Sequence, residues 1–177
     1  MATILAFAGS NSSTSINFKL VKYTTSLLEG QNIELLNLAN YPFPMYSEDV
    51  EKESGFSNSL VEFKGYIASS KGLVISVNEH NGNVSAYFKN LTDWLSRFDK
   101  RFLEGKKILL MSTSAGKRGA IGALSITEKI LPRFGAEVVA TFSLPSFNEN
   151  LDAEKGIVNT DLATAHAAAL KQFVASL

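Results

Sequence analysis

The strongest constraint on the fold of this 177-residue chain is an alternation that runs along its whole length. Short apolar runs bounded by glycine, proline or polar turn residues alternate with longer segments whose apolar residues recur every three or four positions. Short continuous apolar runs suit strands buried on both faces, and the 3.6-residue period suits the helices that cover them. The strand candidates are residues 2–8, "NIELLNL" (32–38), "GLVISV" (72–77), "KKILLMST" (106–113) and "AEVVATF" (136–142). The first helix candidate carries Ile16, Leu20, Tyr23 and Leu27 and stops near Gly30. The second carries Phe56, Leu60, Phe63 and Ile67, and the third Val84, Phe88, Leu91, Leu95 and Phe98. The fourth carries Ile121, Leu124, Ile130, Leu131 and Phe134, and the last begins near Thr160 and buries Leu170, Phe173, Val174 and Leu177. Five strands alternating with five helices predict an α/β domain spanning 1–177, with an open parallel sheet in the order 2-1-3-4-5 and helices on both faces. Ligands of such sheets bind beyond the C-terminal strand ends, beside strands 1 and 3. That singles out the loops 9–15, 78–84 and 112–120.

The first of these loops is unusually polar. Gly9 is followed without a break by Ser10, Asn11, Ser12, Ser13, Thr14 and Ser15, and a helix begins directly after them. Helix N-termini favour anions, and hydroxyls can add donors to phosphate oxygens. A plain helix cap accounts for one or two of these residues, not for six. The loop has neither Gly-Lys-Ser/Thr nor G-x-G-x-x-G, so a phosphomonoester suits it better than a nucleotide triphosphate or a pyrophosphate.

The second loop, "NEHNGN" (78–83), carries the turn signal Asn81-Gly82. It either offers polar edges to a flat heterocycle or is an ordinary strand-to-helix turn with Asn83 as cap. The third, "STSAGKRGAIG" (112–122), has small residues that permit close backbone approach, or it is a flexible connection with Lys117 and Arg118 solvated. A connector rich in aromatics and proline, "NYPFPMYSED" (40–49), either lines a pocket or interface or folds back over the sheet. Trp94 sits at the border of an apolar helix face and suits either core or interface.

Composition removes several function classes. The chain has no cysteine, which excludes disulfides, thiol catalysis and thiolate metal sites and fits a reducing cytoplasm. Two distant histidines, His80 and His166, give no metal signature, so no metal is expected. Lysine plus arginine equals aspartate plus glutamate, 17 each, so no basic stripe points to nucleic acid. The N-terminal apolar run lacks a basic n-region and is too short for a signal peptide or membrane span, so no membrane partner is expected.

Four stretches resemble the NADPH-dependent FMN reductase family of quinone, chromate and azo-dye reductases. "AGSNSSTSIN" is similar to the family's G-S-x-R-x-x-S-x-N through Gly9, Ser10, Ser15 and Asn17. "PFPMYSED" is similar to Pro-x-Tyr-x-x-Asp through Pro44, Tyr46 and Asp49. "NEHNGNVSAYFKNLTDWLS" resembles P-E-Y-N-x-S-x-P-x-x-L-K-N-x-x-D-W through Glu79, Asn81, Lys89, Asn90, Asp93 and Trp94. "STSAGKRGAIGA" is similar to the family's glycine-rich loop after strand 4. The resemblance implies a flavodoxin-like fold and FMN, reduced by NADPH (or NADH), with hydride passed on to a small-molecule acceptor. It implies an FMN phosphate on Ser10, Ser12, Ser15, Ile16 and Asn17. The flavin ring would lie against Glu79, His80, Asn81 and Gly82, with Ser114 and Gly116 near its far edge. A cytoplasmic homodimer or homotetramer is implied as well. Because the flavin carries the redox chemistry, no catalytic side chain is assigned.

The chain departs from the pattern at informative places. Ser12 stands where the family has arginine, so a charged phosphate contact becomes neutral. Lys19, Lys117 and Arg118 are the cations available to compensate. Asn78 replaces a proline, His80 a tyrosine, and Val84 and Ala86 interrupt the Ser-x-Pro pattern. Two further readings of the same fold stay open at this point. One is a flavodoxin-like electron carrier, against which the zero net charge argues. The other is a binding module that has lost its flavin.

Overall fold

The computed structural model describes residues 3–177. In chain order the elements are β1 (Thr3–Ala8), α1 (Ile16–Ser26), β2 (Asn32–Leu36), α2 (Glu48–Ser54), α3 (Asn58–Ser69) and β3 (Gly72–Val77). There follow β4 (Glu79–His80), β5 (Asn83–Val84), α4 (Ala86–Phe98), β6 (Lys107–Thr113) and α5 (Ile121–Ile130). The chain continues through β7 (Glu137–Leu144), α6 (Phe147–Asn150), β8 (Leu151–Asp152), β9 (Gly156–Ile157) and α7 (Thr160–Ala175). The expected start of the first strand at residue 2 lies outside the described residues.

The main sheet has five parallel strands in the order β2-β1-β3-β6-β7, which is the expected 2-1-3-4-5. Period-two alternation sends β1 side chains to opposite faces. Ile4, Ala6 and Ala8 pack with Leu20 and Val21 of α1 and Leu170 and Phe173 of α7. Leu5 and Phe7 pack with Phe63 of α3, Leu91 of α4 and Leu124 of α5. Central strands therefore read as continuous apolar runs because both faces are covered.

Several boundaries differ from the sequence expectation. Phe56 precedes α3 and packs edge-on against Trp94 and tilted against Phe98 instead. Val84 lies in β5, and α4 starts later, where the Ser85 hydroxyl accepts from the Phe88 amide at 3.1 Å. Ser85, not Asn83, is thus the cap. The connector 40–49 folds back over the sheet: Tyr41, Phe43 and Tyr46 pack on the core, and Met45 is left 70% exposed. Trp94 is a core residue whose indole N–H donates to the Pro44 carbonyl at 2.8 Å.

Candidate active site

The candidate site lies where β1, β3 and β6 end. Gly9 sets the approach of its walls, since a Cβ there would lie 2.6 Å from the Phe88 ring. The Ser85 hydroxyl donates to the Gly9 carbonyl at 2.9 Å while capping α4, and so ties the first loop to the second. Between them opens a cleft of about 630 Å³.

The polar run 10–15 forms one wall. Ser15 is the N-cap of α1, its Oγ accepting from the Phe18 amide at 3.2 Å, which leaves its hydroxyl hydrogen to donate. The Ser12 hydroxyl meets Thr14 Oγ1 and accepts from the Thr14 amide, each at 3.3 Å. The amides of Ile16 and Asn17, in the first helical turn, have no intrahelical carbonyl to bond. Both residues line the cleft together with Ser10, Ser12, Thr14 and Ser15. Asn17 is otherwise committed: it is 2% exposed and its side chain bonds Ser76 and Thr113.

The second loop is a hairpin rather than a simple turn. Glu79 pairs with Val84 and His80 with Asn83, antiparallel. Asn81 and Gly82 form its two-residue turn with φ of 53° and 75°, the geometry that Asn-Gly favours. Glu79, His80 and Asn78 line the cleft, whereas Asn81 and Gly82 stand at the hairpin tip away from its lining. Glu79 Oε2 accepts from the Ala123 amide at 3.0 Å. It thereby supplies the N-terminal partner that α5 lacks in its own chain start, since Ala120 offers no side-chain cap.

The third loop is anchored and not a loose connection. The hydroxyls of Ser112 and Ser143 both donate to the Gly119 carbonyl, at 2.7 and 2.9 Å. The Ser146 amide donates to the Gly116 carbonyl at 2.9 Å. Ser114 lines the cleft, and Gly116 sits behind it as an acceptor for the Ser114 hydroxyl. Lys117 and Arg118 are exposed and outside the lining, and Lys19 lines a different cleft, so none of the three stands in for the missing arginine.

Sequence reasoning missed Ser85, Tyr87 and Thr113 as lining residues. The Tyr87 hydroxyl donates to the carbonyls of Leu38 and Tyr41, and burial pushes its phenol above the usual range. The polar run, a neutral hydroxyl-rich rim, free helix-start amides and a cleft of about 630 Å³ fit a flavin mononucleotide. A buried acceptor without a protein partner, Asn78 Oδ1, belongs to a residue of the same lining.

Comparison with known proteins shows what the chain is similar to. An uncharacterised protein of Mycoplasma pneumoniae (the MG342 homolog) is 30% identical over 154 residues, covering 84% of this chain and 90% of that protein. A quinone reductase of Escherichia coli is 37% identical over 76 residues, 43% of this chain and 40% of its own length. Among solved structures, the flavoenzyme NAD(P)H:(acceptor) oxidoreductase FerB of Paracoccus denitrificans superposes with a TM-score of 0.79 at 24% identity, covering 99% of this chain and 96% of that one. Residues 2–149 match the family described as NADPH-dependent FMN reductase, and on that match the chain belongs to this family.

Proposed function

We propose that this FMN-dependent oxidoreductase takes hydride from NAD(P)H and delivers reducing equivalents to a small acceptor such as a quinone, a free flavin or a metal oxyanion. The observation that carries this reading is the cleft that gathers the polar loop, Glu79 and His80 of the hairpin, and Ser114. When bound, FMN supplies the redox chemistry. The chain's own residues hold and orient it. Hydroxyls of Ser10, Ser12 and Ser15 and the amides of Ile16 and Asn17 would hold the phosphate. Glu79 and His80 would border one edge of the ring, held there by the turn at Asn81-Gly82, and Ser114, backed by Gly116, would close the other. No side chain is assigned a proton transfer.

Among the described residues no helix is long and apolar enough to cross a membrane. A cytoplasmic setting and a homodimer or homotetramer complete the reading, and sedimentation of the purified protein tests the latter. The cofactor reading is tested by titrating flavin-free protein with FMN. Quenching of flavin fluorescence at micromolar protein, then bleaching by NADPH, is the expected result. Absence of quenching would overturn the assignment of the cleft. Flavin that binds but bleaches only through an added reductase would make the protein an electron carrier instead.

A further inference from the structure

A second cleft, of about 400 Å³, lies against α1 beside the first. Two links tie it to the first cleft, and the one along α1 sets it at the phosphate end. Along α1, Lys19 follows the cap residue Ser15 by one turn, about 6 Å of rise, and Lys22 and Tyr23 continue the same side. Across from them, Phe147 lines the second cleft and its amide donates at 3.0 Å to the carbonyl of Ser114, which lines the first.

The chemistry of this cleft differs from that of its neighbour. Lys19 and Lys22 are exposed, and among the described residues neither forms an ion pair. The Tyr23 ring is held in place from two sides. Its centroid is 5.4 Å from the His166 ring, and Gly156, at φ 75°, approaches so closely that a Cβ would lie 2.5 Å from it. Asp152 also lines the cleft. Amides of Lys155 and Glu154 donate to its Oδ1 and hold the carboxyl below its usual range, leaving Oδ2 as an acceptor. Two cations, a fixed aromatic plane and an acceptor for hydroxyls complement a phosphate, a base and a ribose.

We propose that this cleft holds the adenosine-phosphate half of FAD, so that the chain binds FAD as well as FMN. The inference rests on the flavin reading of the main cleft. FAD is FMN extended through its phosphate, so its adenosine half must leave the main cleft at the Ser15 end, where Lys19 stands. The nicotinamide of NAD(P)H must instead reach the ring end, at the hairpin.

The test is equilibrium titration of flavin-free protein with FMN, FAD and NADPH, in the wild type and in Lys22→Glu, an exposed position. FAD should bind within about tenfold of FMN, and Lys22→Glu should weaken FAD at least about tenfold while leaving FMN unchanged, since it removes one charged phosphate contact and adds a repulsive charge. FAD binding more than about a hundredfold weaker than FMN, or equal losses for both flavins, would overturn the proposal. A loss confined to NADPH would reassign the cleft to the pyridine nucleotide and overturn it too. If neither flavin binds, the cofactor reading of the main cleft falls as well; if FMN alone binds, only the FAD inference falls.

Discussion

Asn17 closes two hydrogen bonds on the backbone of Thr113: its Nδ2 donates to the carbonyl at 3.1 Å and its Oδ1 accepts from the amide at 3.0 Å. The same Oδ1 accepts from the Ser76 hydroxyl at 2.7 Å. One side chain at the start of α1 thus fastens the polar loop to the ends of β3 and β6. Asn17→Ala would leave three buried polar groups without a partner. We expect a loss of about 2–4 kcal/mol, since each such group costs about 1–3 kcal/mol and relaxation admits some water. Urea unfolding measures it, and a loss below about 0.5 kcal/mol would show that these bonds are dispensable.

Glu79 and Gly122 form a second such pair. A Cβ at Gly122 would lie 2.7 Å from Glu79 Oε2, so Gly122→Ala should push the carboxylate off the Ala123 amide. Glu79→Ala removes the same bond without crowding. Each should cost about 1 kcal/mol, the size of a helix cap. The two changes should be less than additive when combined, because they break one contact. Full additivity in the double variant would mean that they act through different contacts.

The sheet order was legible because both faces of each central strand are covered, which left uninterrupted apolar runs such as "GLVISV". The three loops followed from that order. What stayed hidden has physical reasons. α2 buries none of its residues, so it carries no apolar period; its signal is the Ser47 cap followed by Glu48 and Asp49. The β4–β5 hairpin is too short for a pattern, although Asn81-Gly82 marks its turn. Asn17 fits a motif of phosphate loops, yet in the fold its amide turns inward to Thr113. Tyr87 reads as any helix-start aromatic until its hydroxyl is seen bridging Leu38 and Tyr41.

His166 makes stability depend on pH. The ring is 2% exposed, its Nε2 lies 2.9 Å from the Thr24 hydroxyl, and the Tyr23 and Phe142 rings flank it. The Thr24 hydroxyl also lies 2.9 Å from the Leu20 carbonyl, and either ring tautomer can bond it while the ring is neutral. Burial lowers the folded pKa to about 4, against about 6.5 when unfolded. The unfolded chain therefore binds a proton first. Stability from the neutral ring is complete above about pH 6.5 and is lost as pH falls toward 4, by at most about 3 kcal/mol. His166→Leu lacks this term. Urea midpoints of the two proteins should converge between pH 6.5 and 4, and a constant gap across that window would show that His166 does not titrate there.

Ser12 separates the phosphate from the rest of the flavin. It is exposed at the cleft rim, and its contacts with Thr14, at 3.3 Å, are long. Its backbone carbonyl, which accepts from the Ser15 amide at 3.2 Å, survives any side-chain change. No lysine or arginine lines the cleft among the described residues, so a phosphate dianion there meets only neutral donors. Ser12→Arg adds the missing charge at little structural cost. FMN should bind about tenfold tighter, because a charge-assisted bond is about twice as strong as a neutral one. Riboflavin, which has no phosphate, should bind as before. FMN affinity should also become more sensitive to salt, as a new exposed ion contact is screened. Fluorescence titration of both flavins at two salt concentrations measures all three effects. Equal tightening of FMN and riboflavin would place the new guanidinium on the ring rather than the phosphate, and unchanged FMN affinity would show that the 10–17 loop holds the phosphate out of its reach.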